Sequence, residues 1–285
     1  MTPTDAVVHT LPVTVAVRAR WDDCDGFGHV NNGAYLALMR EAHDLARAAL
    51  GQEAETGRLI EVEIAYRKPV LPGQAVDVSV EPADDTPPGR RFRYQMSTDG
   101  RPRAEVTASW APDQPSVPAE LLQPARDAGG RPFQWRHVVQ SHEVGPDGAV
   151  RPAVVLQWLE HGVFRSAARA GWDRTRMAAA DFVALVIGHH LVLGAPAREG
   201  NELVITSRLV EARRVSGTWR HVVRLPDGSL VAADHDRGAF LDAAGRIRPA
   251  PDGLLEDLLR GEPDEPSEAR NEDFAPRPPA EARED

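Results

Sequence analysis

The chain has 285 residues, 42% of them hydrophobic and 27% charged, with a formal net charge of −10. This composition predicts a globular protein of one large domain or two ordinary ones, and the acidic balance argues against a nucleic-acid partner. No apolar run has the length of a membrane span, and the N-terminus lacks the pattern of a secretory signal. The single cysteine, Cys24, cannot form an internal disulfide, so a soluble cytoplasmic protein is predicted.

The first half, residues 1–112, has the pattern of one α+β unit. Val13–Ala19 alternates apolar and other residues, as a half-buried strand does, and apolar residues recur at helical spacing from Tyr35 to Ala49. Four further strands are predicted at Leu59–Tyr66, Ala75–Glu81, Arg91–Ser97 and Arg103–Trp110. One long helix must then cover one face of an antiparallel sheet.

The second half, residues 133–250, repeats this order of elements. Gln134–His142 is predicted to be a strand, and Pro152 suits the first turn of a helix. Four strands are predicted after it, at Phe182–Leu193, Glu202–Glu211, Thr218–Leu225 and Ser229–Leu241. Residues 113–132, rich in Pro and Gly, are predicted to be a linker, and the acidic, Pro-rich residues 251–285 a disordered tail.

The two helices align at a constant offset of 120 positions. Gly28 corresponds to Gly148 at the start, and Gly51 corresponds to Gly171 at the end. The later turn at Gly73 corresponds to the turn at Gly200, at an offset of 127. Roughly seven extra residues are therefore expected between the helix and the next strand of the second half.

The stretch from Arg20 to Leu36 reads RWDDCDGFGHVNNGAYL and resembles the signature of hotdog-fold acyl-CoA thioesterases of the 4-hydroxybenzoyl-CoA type. The two-unit plan is similar to that of acyl-ACP thioesterases, whose active unit carries an Asp-x-Asn-x-His-Val-Asn-Asn pattern. Phe27 stands here where that pattern has Asn, and the order of active and inactive units looks reversed. The resemblance implies a tandem double hotdog, in which each antiparallel sheet wraps around a long central helix. The halves would pair within the chain, with an acyl channel between them.

Thioester hydrolysis needs a carboxylate, donors for the oxyanion and room for the acyl group. The resemblance puts the catalytic carboxylate at Asp25, as general base or nucleophile, and His29 is the second catalytic candidate. Free N–H groups at the helix start, around Asn31 and Asn32, are expected to form the oxyanion hole. The candidate substrate-binding residues are Gly28, Val30, Asn31, Asn32 and Tyr35.

Other polar residues favour structural roles. Asp23 belongs to the strand end, and Cys24 is expected to pack as a small residue because its acidic neighbours disfavour the thiolate. His189 and His190 are adjacent in a predicted strand and should point to opposite faces, which argues against a shared metal ion. No metal and no cofactor is predicted.

Applied to the candidate loop, the offset of 120 pairs Asp25 with Gly145 and His29 with Ala149. The second half lacks the polar groups that the chemistry would use, so one active site per chain is predicted. Its helix is expected to close the pocket from the opposite side, through one of Gln157, Glu160 and His161.

The sequence therefore predicts an acyl-CoA thioesterase. The alternatives are an acyl-ACP thioesterase, a hotdog enoyl-thioester hydratase and a non-catalytic protein that binds acyl thioesters. Acyl-CoA or acyl-ACP is the expected partner, with no membrane and no nucleic acid, and a further homodimer is left open.

Overall fold

A computed structural model describes residues 12–26, 28–50, 57–84, 90–111 and 129–260. Within these ranges the strands are β1 Val13–Arg18, β2 Arg58–Tyr66, β3 Ala75–Asp84, β4 Arg90–Thr98, β5 Arg101–Ala111, β6 Phe133–Val138, β7 Val183–Leu193, β8 Glu202–Arg213, β9 Ser216–Arg224 and β10 Leu230–Leu241. The α-helices of the same ranges are α1 Asn32–Ala49, α2 Pro152–Arg169, α3 Arg174–Ala179 and α4 Leu254–Arg260.

The strands form one antiparallel sheet in the order β1-β3-β4-β5-β2-β7-β10-β9-β8-β6. The second half mirrors the first, and the halves join where β2 pairs with β7, from Glu61 opposite Val192 to Ala65 opposite Gly188. A Cβ atom at Gly188 would lie 2.6 Å from the carbonyl oxygen of Ile64. The junction therefore requires a residue without a side chain at this point.

The two long helices pack against each other on the inner face of the sheet. A Cβ atom at Gly33 would lie 2.5 Å from the carbonyl oxygen of Ala153, so the backbones of the two helices are in direct contact at their N-terminal ends. Met39 and Leu159, which are equivalent at the offset of 120, are both completely buried in the core between helices and sheet. This packing brings the loop before α1 next to the second half.

The fold confirms the predicted α+β double hotdog with an internal repeat. An isolated bridge joins Cys24 to Val30 before α1, and its equivalent joins Val144 to Val150 before α2. The six-residue helix α3 lies between α2 and β7, where the offset changes, and it accounts for most of the extra length predicted there.

Two predicted segments differ from the structure. The strand predicted over Gln134–His142 ends at Val138, because Gln140 and Glu143 form a capping box around a 3-10 turn at Ser141–Glu143. The predicted disordered tail begins too early: Leu254–Arg260 is helix α4. Leu254, Leu255 and Leu258 form an apolar stripe that packs with the cluster of Trp172, Phe182 and Phe240. Residues 261–285, most of the predicted linker (113–128) and Gly51 lie outside the described residues.

Candidate functional site

The predicted catalytic residues lie on a closed loop between β1 and α1. The Asp25 N–H donates to the carbonyl oxygen of His29 at 2.8 Å, and the Gly28 N–H donates to that of Asp25 at 3.0 Å. Gly28 adopts a φ of 76°, the left-handed conformation that favours glycine. Because a Cβ atom there would meet no atom within 4 Å, the glycine is explained by backbone conformation and not by lack of space.

Asp25 and His29 lie together on this loop, and both are half-buried. The Asp25 Oδ1 atom accepts a hydrogen bond from the main-chain N–H of His29 at 3.3 Å. The imidazole of His29 makes no hydrogen bond with the part of the chain that the structure describes. The carboxylate is therefore held by the backbone of His29, and the ring remains available for a ligand.

The start of α1 has a defined set of donors. Asn31 is the N-cap residue, and its Oδ1 atom accepts from the Gly33 N–H at 2.9 Å. The Ala34 N–H donates to the carbonyl oxygen of Asn31, and the Asn31 N–H donates to that of Asp23 at 2.7 Å. This corrects one expectation, since the Asn31 N–H is already used. Within the described residues, the Asn32 N–H takes part in no hydrogen bond and is the open donor at the helix start.

Three further residues, Val30, Tyr35 and Tyr66, hold the helix start and the neighbouring segment at Val70 in place. Val30 is buried, and its N–H donates to the carbonyl oxygen of Val70 at 2.9 Å. The buried Tyr35 hydroxyl accepts from the Val70 N–H at 3.0 Å, and burial raises the pKa of Tyr35. The Tyr66 hydroxyl donates to the carbonyl oxygen of Asn32 at 3.1 Å. Core packing accounts for Val30 and Tyr35, and their contact with substrate stays a prediction.

Two neighbours of the loop have structural roles, as expected. The Asp23 Oδ2 atom accepts from the Arg20 N–H at 2.7 Å and caps the 3-10 turn at Trp21–Asp23. The Cys24 thiol points to the carbonyl oxygen of Arg20 at 3.4 Å. Burial, followed by the charges of Asp23 and Asp25, raises the pKa of Cys24, which disfavours a thiolate nucleophile.

The second half keeps the backbone of the loop without its side chains. The Gly145 N–H donates to the carbonyl oxygen of Ala149 at 2.8 Å, and the Gly148 N–H donates to that of Gly145 at 2.9 Å. These bonds match those of Asp25 and Gly28, but no carboxylate or imidazole stands at the equivalent positions. One candidate site per chain follows for the described loops.

The second half nevertheless reaches the site through Glu160 on α2. Its Oε2 atom accepts from the Asn31 side-chain amide at 3.1 Å, although 129 positions separate the two residues. Glu160 is only 8% exposed. Of the three α2 residues named from sequence, His161 is exposed and its ring lies 6.0 Å from that of Trp135. Gln157 is also exposed, although its Cγ atom would lie 3.2 Å from a Cβ atom at Gly33, beside the start of α1. Of the three, Glu160 is the residue that makes a hydrogen bond to the loop within the described part of the chain.

Sequence reasoning missed the groups behind Glu160. The His189 Nε2 atom lies 3.7 Å from the Glu160 Oε1 atom, an ion-pair distance but too long for a hydrogen bond. The His189 Nδ1 atom lies 2.9 Å from the Asp234 Oδ2 atom. Burial favours the neutral imidazole, but the surrounding carboxylates, Asp234 first and then Glu160 and Asp236, outweigh it and raise the pKa of His189 well above its usual value. A histidine and an aspartate at inward strand positions were the only sequence signal for this pair.

A second buried chain of polar groups has the composition of a hydrolase triad. The Ser207 hydroxyl lies 2.9 Å from the His221 Nδ1 atom, and the His221 Nε2 atom lies 3.3 Å from the Asp236 Oδ2 atom. All three residues are at most 1% exposed. A nucleophile needs access to its substrate, so this chain is part of the polar core.

The outer face of the sheet brings three potential metal ligands together. Ligand atoms of Glu61, Glu63 and His190 lie within 4.8 Å of one another. However, His190 already pairs with Glu61 at 2.9 Å, and Arg91 pairs with Glu63 at 3.2 Å. His189 and His190 do point to opposite faces, the first buried and the second half-buried, as predicted.

A small cavity of about 60 Å³ lies along the second half of α1. It is lined by Arg40, His43, Asp44, Arg47, Gly57, Arg90, Phe92 and Trp110. From the rise of a helix, Arg40 to Arg47 lie roughly 12 to 22 Å along the axis from Asn32. This cavity is therefore separate from the candidate site, and the acyl channel between the halves stays a prediction.

Together, the fold and the loop define a double hotdog protein with one candidate site in its first half. Residues 12–112 match the family model of the acyl-ACP thioesterase C-terminal domain. The first half is thus related to that domain, and the model of a C-terminal unit matches the N-terminal unit here. The reversed order of active and inactive units stays a prediction. The search of curated proteins gave no match.

Solved structures of the same fold cover most of the chain. A protein described as an oleoyl thioesterase from Lactobacillus plantarum is 12% identical with a TM-score of 0.63, covering 87% of this chain and 100% of its own. The 12:0-ACP thioesterase from Umbellularia californica is 11% identical with a TM-score of 0.62, covering 79% and 93%. An acyl-ACP thioesterase from Bacteroides thetaiotaomicron is 12% identical with a TM-score of 0.56, covering 80% and 97%. At these identities the similarity establishes the fold, and the predicted double hotdog is confirmed.

None of the helices in the described part of the chain is long and apolar enough to cross a bilayer.

Proposed function

We propose that this protein hydrolyses an acyl thioester to a free acid and a thiol, at one site in its first half. The observation that carries the proposal is the Asp25 carboxylate on a closed loop that leads directly into the open N–H end of α1. The match of residues 12–112 to a thioesterase domain supports it. Hydrolysis needs this pairing of a carboxylate with a preorganised donor.

The reaction follows from these groups. Asp25 either removes a proton from water, whose oxygen attacks the thioester carbon, or attacks that carbon itself. The carbonyl oxygen then becomes an oxyanion, which the Asn32 N–H and the positive end of the α1 dipole stabilise. The carbon–sulfur bond breaks, and the thiolate leaves and takes up a proton. On the nucleophilic route this step leaves a mixed anhydride between the acyl group and Asp25, which water then hydrolyses to the free acid and the regenerated carboxylate. The free His29 ring can donate a hydrogen bond to the carbonyl oxygen in its neutral form.

The proposed substrate is an acyl thioester of either coenzyme A or acyl carrier protein. Acyl-CoA and acyl carrier protein both present the acyl group as a thioester of the same phosphopantetheine arm, so the chemistry at Asp25 is the same.

We place the reaction in the cytoplasm, because a single cysteine fits a reducing compartment.

The test is thiol release from acyl-CoA and acyl-ACP of graded acyl length. D25N keeps the size of the side chain but removes its basicity, and it should lower kcat by about 10²- to 10⁴-fold. D23N is the matched control two residues away, because Asp23 caps a turn, and it should turn over near the wild-type rate. A D25N protein that hydrolyses as fast as wild type contradicts the proposal. So does hydration of crotonyl-CoA without release of thiol.

A further inference from the structure

The contact between Asn31 and Glu160 joins the first half's site to the second half. The Asn31 side chain makes two hydrogen bonds, one as acceptor and one as donor. Its Oδ1 atom accepts from the Gly33 N–H, and its Nδ2 atom donates to Glu160. An amide side chain can take either of two orientations that exchange oxygen and nitrogen. Only one of them caps α1, because the other would place the NH₂ group against the Gly33 N–H.

Glu160 selects the capping orientation. An ionised carboxylate accepts hydrogen bonds and donates none, so it can face only the NH₂ group of Asn31. The Asn31 oxygen must then face Gly33, and the helix start keeps the arrangement that leaves the Asn32 N–H open. A buried carboxylate needs compensation, and His189, backed by Asp234, lies on its other side.

We infer that Glu160 of the second half is a positioning residue for the first half's site, acting through the Asn31 amide to hold the oxyanion donor in place. This inference rests on the proposed thioesterase function. It gives the second half a part in the reaction, although its own loop has no catalytic side chain.

The test is a double-mutant cycle on kcat, using wild type, E160Q, N31S and the double variant. Gln is almost the same size as Glu, but it carries one oxygen and one NH₂ group, so it can also present a donor to Asn31 and no longer fixes the orientation of the Asn31 amide. E160Q should lower kcat about tenfold with KM unchanged, less than the 10²- to 10³-fold cost of losing an oxyanion donor itself. Ser is also a good N-cap residue, so N31S keeps α1 capped, but it has no amide to reach Glu160. In the N31S background, E160Q should change kcat less than twofold.

E143Q controls for loss of a buried carboxylate in the same half. Glu143 is buried, and its carboxylate accepts from the Trp158 indole at 2.8 Å and from the Gln140 N–H at 2.7 Å, both within the second half. E143Q should lower the melting temperature and leave kcat unchanged.

Two results would overturn the inference alone: wild-type kcat in E160Q, or the same tenfold loss of kcat in both backgrounds, in each case with D25N inactive. If the wild-type protein releases no thiol from any substrate, the proposed function fails and the inference fails with it. These patterns are distinct, because the first two require an active wild-type enzyme.

Discussion

Gly28 and Gly148 lie 120 positions apart and hold the same backbone conformation, with φ angles of 76° and 74°. Each closes the loop before a long helix, with equivalent hydrogen bonds to the residue three positions earlier. The loop is therefore a property of the hotdog unit in both halves. The difference between the halves lies in side chains, since Asp25 and His29 are present in only one copy.

Alanine at either glycine should destabilise the fold by a similar amount. A left-handed backbone costs a residue with a Cβ atom about 1 to 2 kcal/mol. A Cβ atom at Gly28 would meet nothing within 4 Å, and one at Gly148 would lie 3.0 Å from the Nη1 atom at the end of the long Arg198 side chain, which can shift at little cost. Urea denaturation should therefore show the same loss of unfolding free energy for G28A and G148A.

The two variants should differ in activity. G28A shifts the loop that carries Asp25, and a small misplacement of a catalytic group costs roughly 10- to 100-fold in kcat. G148A shifts a loop without catalytic side chains, so kcat should stay near wild type. Equal losses of kcat in the two variants would contradict the assignment of a single active loop.

The sequence predicted those features that depend on local pattern. Alternating apolar residues gave the strands, and the spacing of glycines gave the repeat and the positions of both long helices. Asp23 and Cys24 could be interpreted as structural because their neighbours in sequence determine their chemistry. The loop with Asp25 was recognisable from its motif.

The features that depend on long-range packing could not be predicted. Glu160 meets Asn31 only because α1 and α2 approach at Gly33, which the sequence does not encode locally. The pairing of His189 with Asp234 depends on the register of β7 against β10. The use of the Asn31 N–H by Asp23 depends on how the loop folds back on the 3-10 turn.

Helix α4 is another feature that depends on long-range packing. It lies in the acidic, Pro-rich segment predicted to be disordered, but it packs on the cluster of Trp172, Phe182 and Phe240. Leu254 is 2% exposed, and the Asp257 carboxylate accepts from the Trp172 indole at 3.0 Å. L254A should lower the unfolding free energy by about 2 kcal/mol, the lower end for a buried leucine. L45A, at a leucine that is 45% exposed on α1, is the control and should change stability little. Equal effects in thermal denaturation would show that α4 does not contribute to the core.

His43 on α1 is a buried titratable residue through which the stability of the core should depend on pH. It is 4% exposed and stacks on Trp110 with ring centroids 4.4 Å apart. The Trp110 indole donates to the Tyr94 hydroxyl at 3.0 Å, so that hydroxyl directs its own proton to the His43 Nδ1 atom at 2.8 Å. The neutral ring then carries its proton on Nε2. Burial lowers the pKa of His43 to about 4, from an ordinary value of 6.5.

This lowered pKa should make the protein sensitive to acid. Between pH 6.5 and 4 the unfolded chain takes up a proton on His43 that the folded protein does not, so the free energy of unfolding falls as the pH falls. The loss from this group is at most about 3 kcal/mol, from about 1.4 kcal/mol for each pH unit. H43Q keeps an acceptor for Tyr94 and cannot titrate, so its unfolding free energy should fall less steeply over this range. Urea titrations of wild type and H43Q at several pH values measure how steeply each free energy of unfolding falls with pH. At pH 7.5 His43 is neutral in both the folded and the unfolded chain, so the difference in unfolding free energy between the two proteins there gives the packing cost of the substitution. Parallel curves from pH 7.5 to 4 would show that His43 contributes nothing to acid sensitivity.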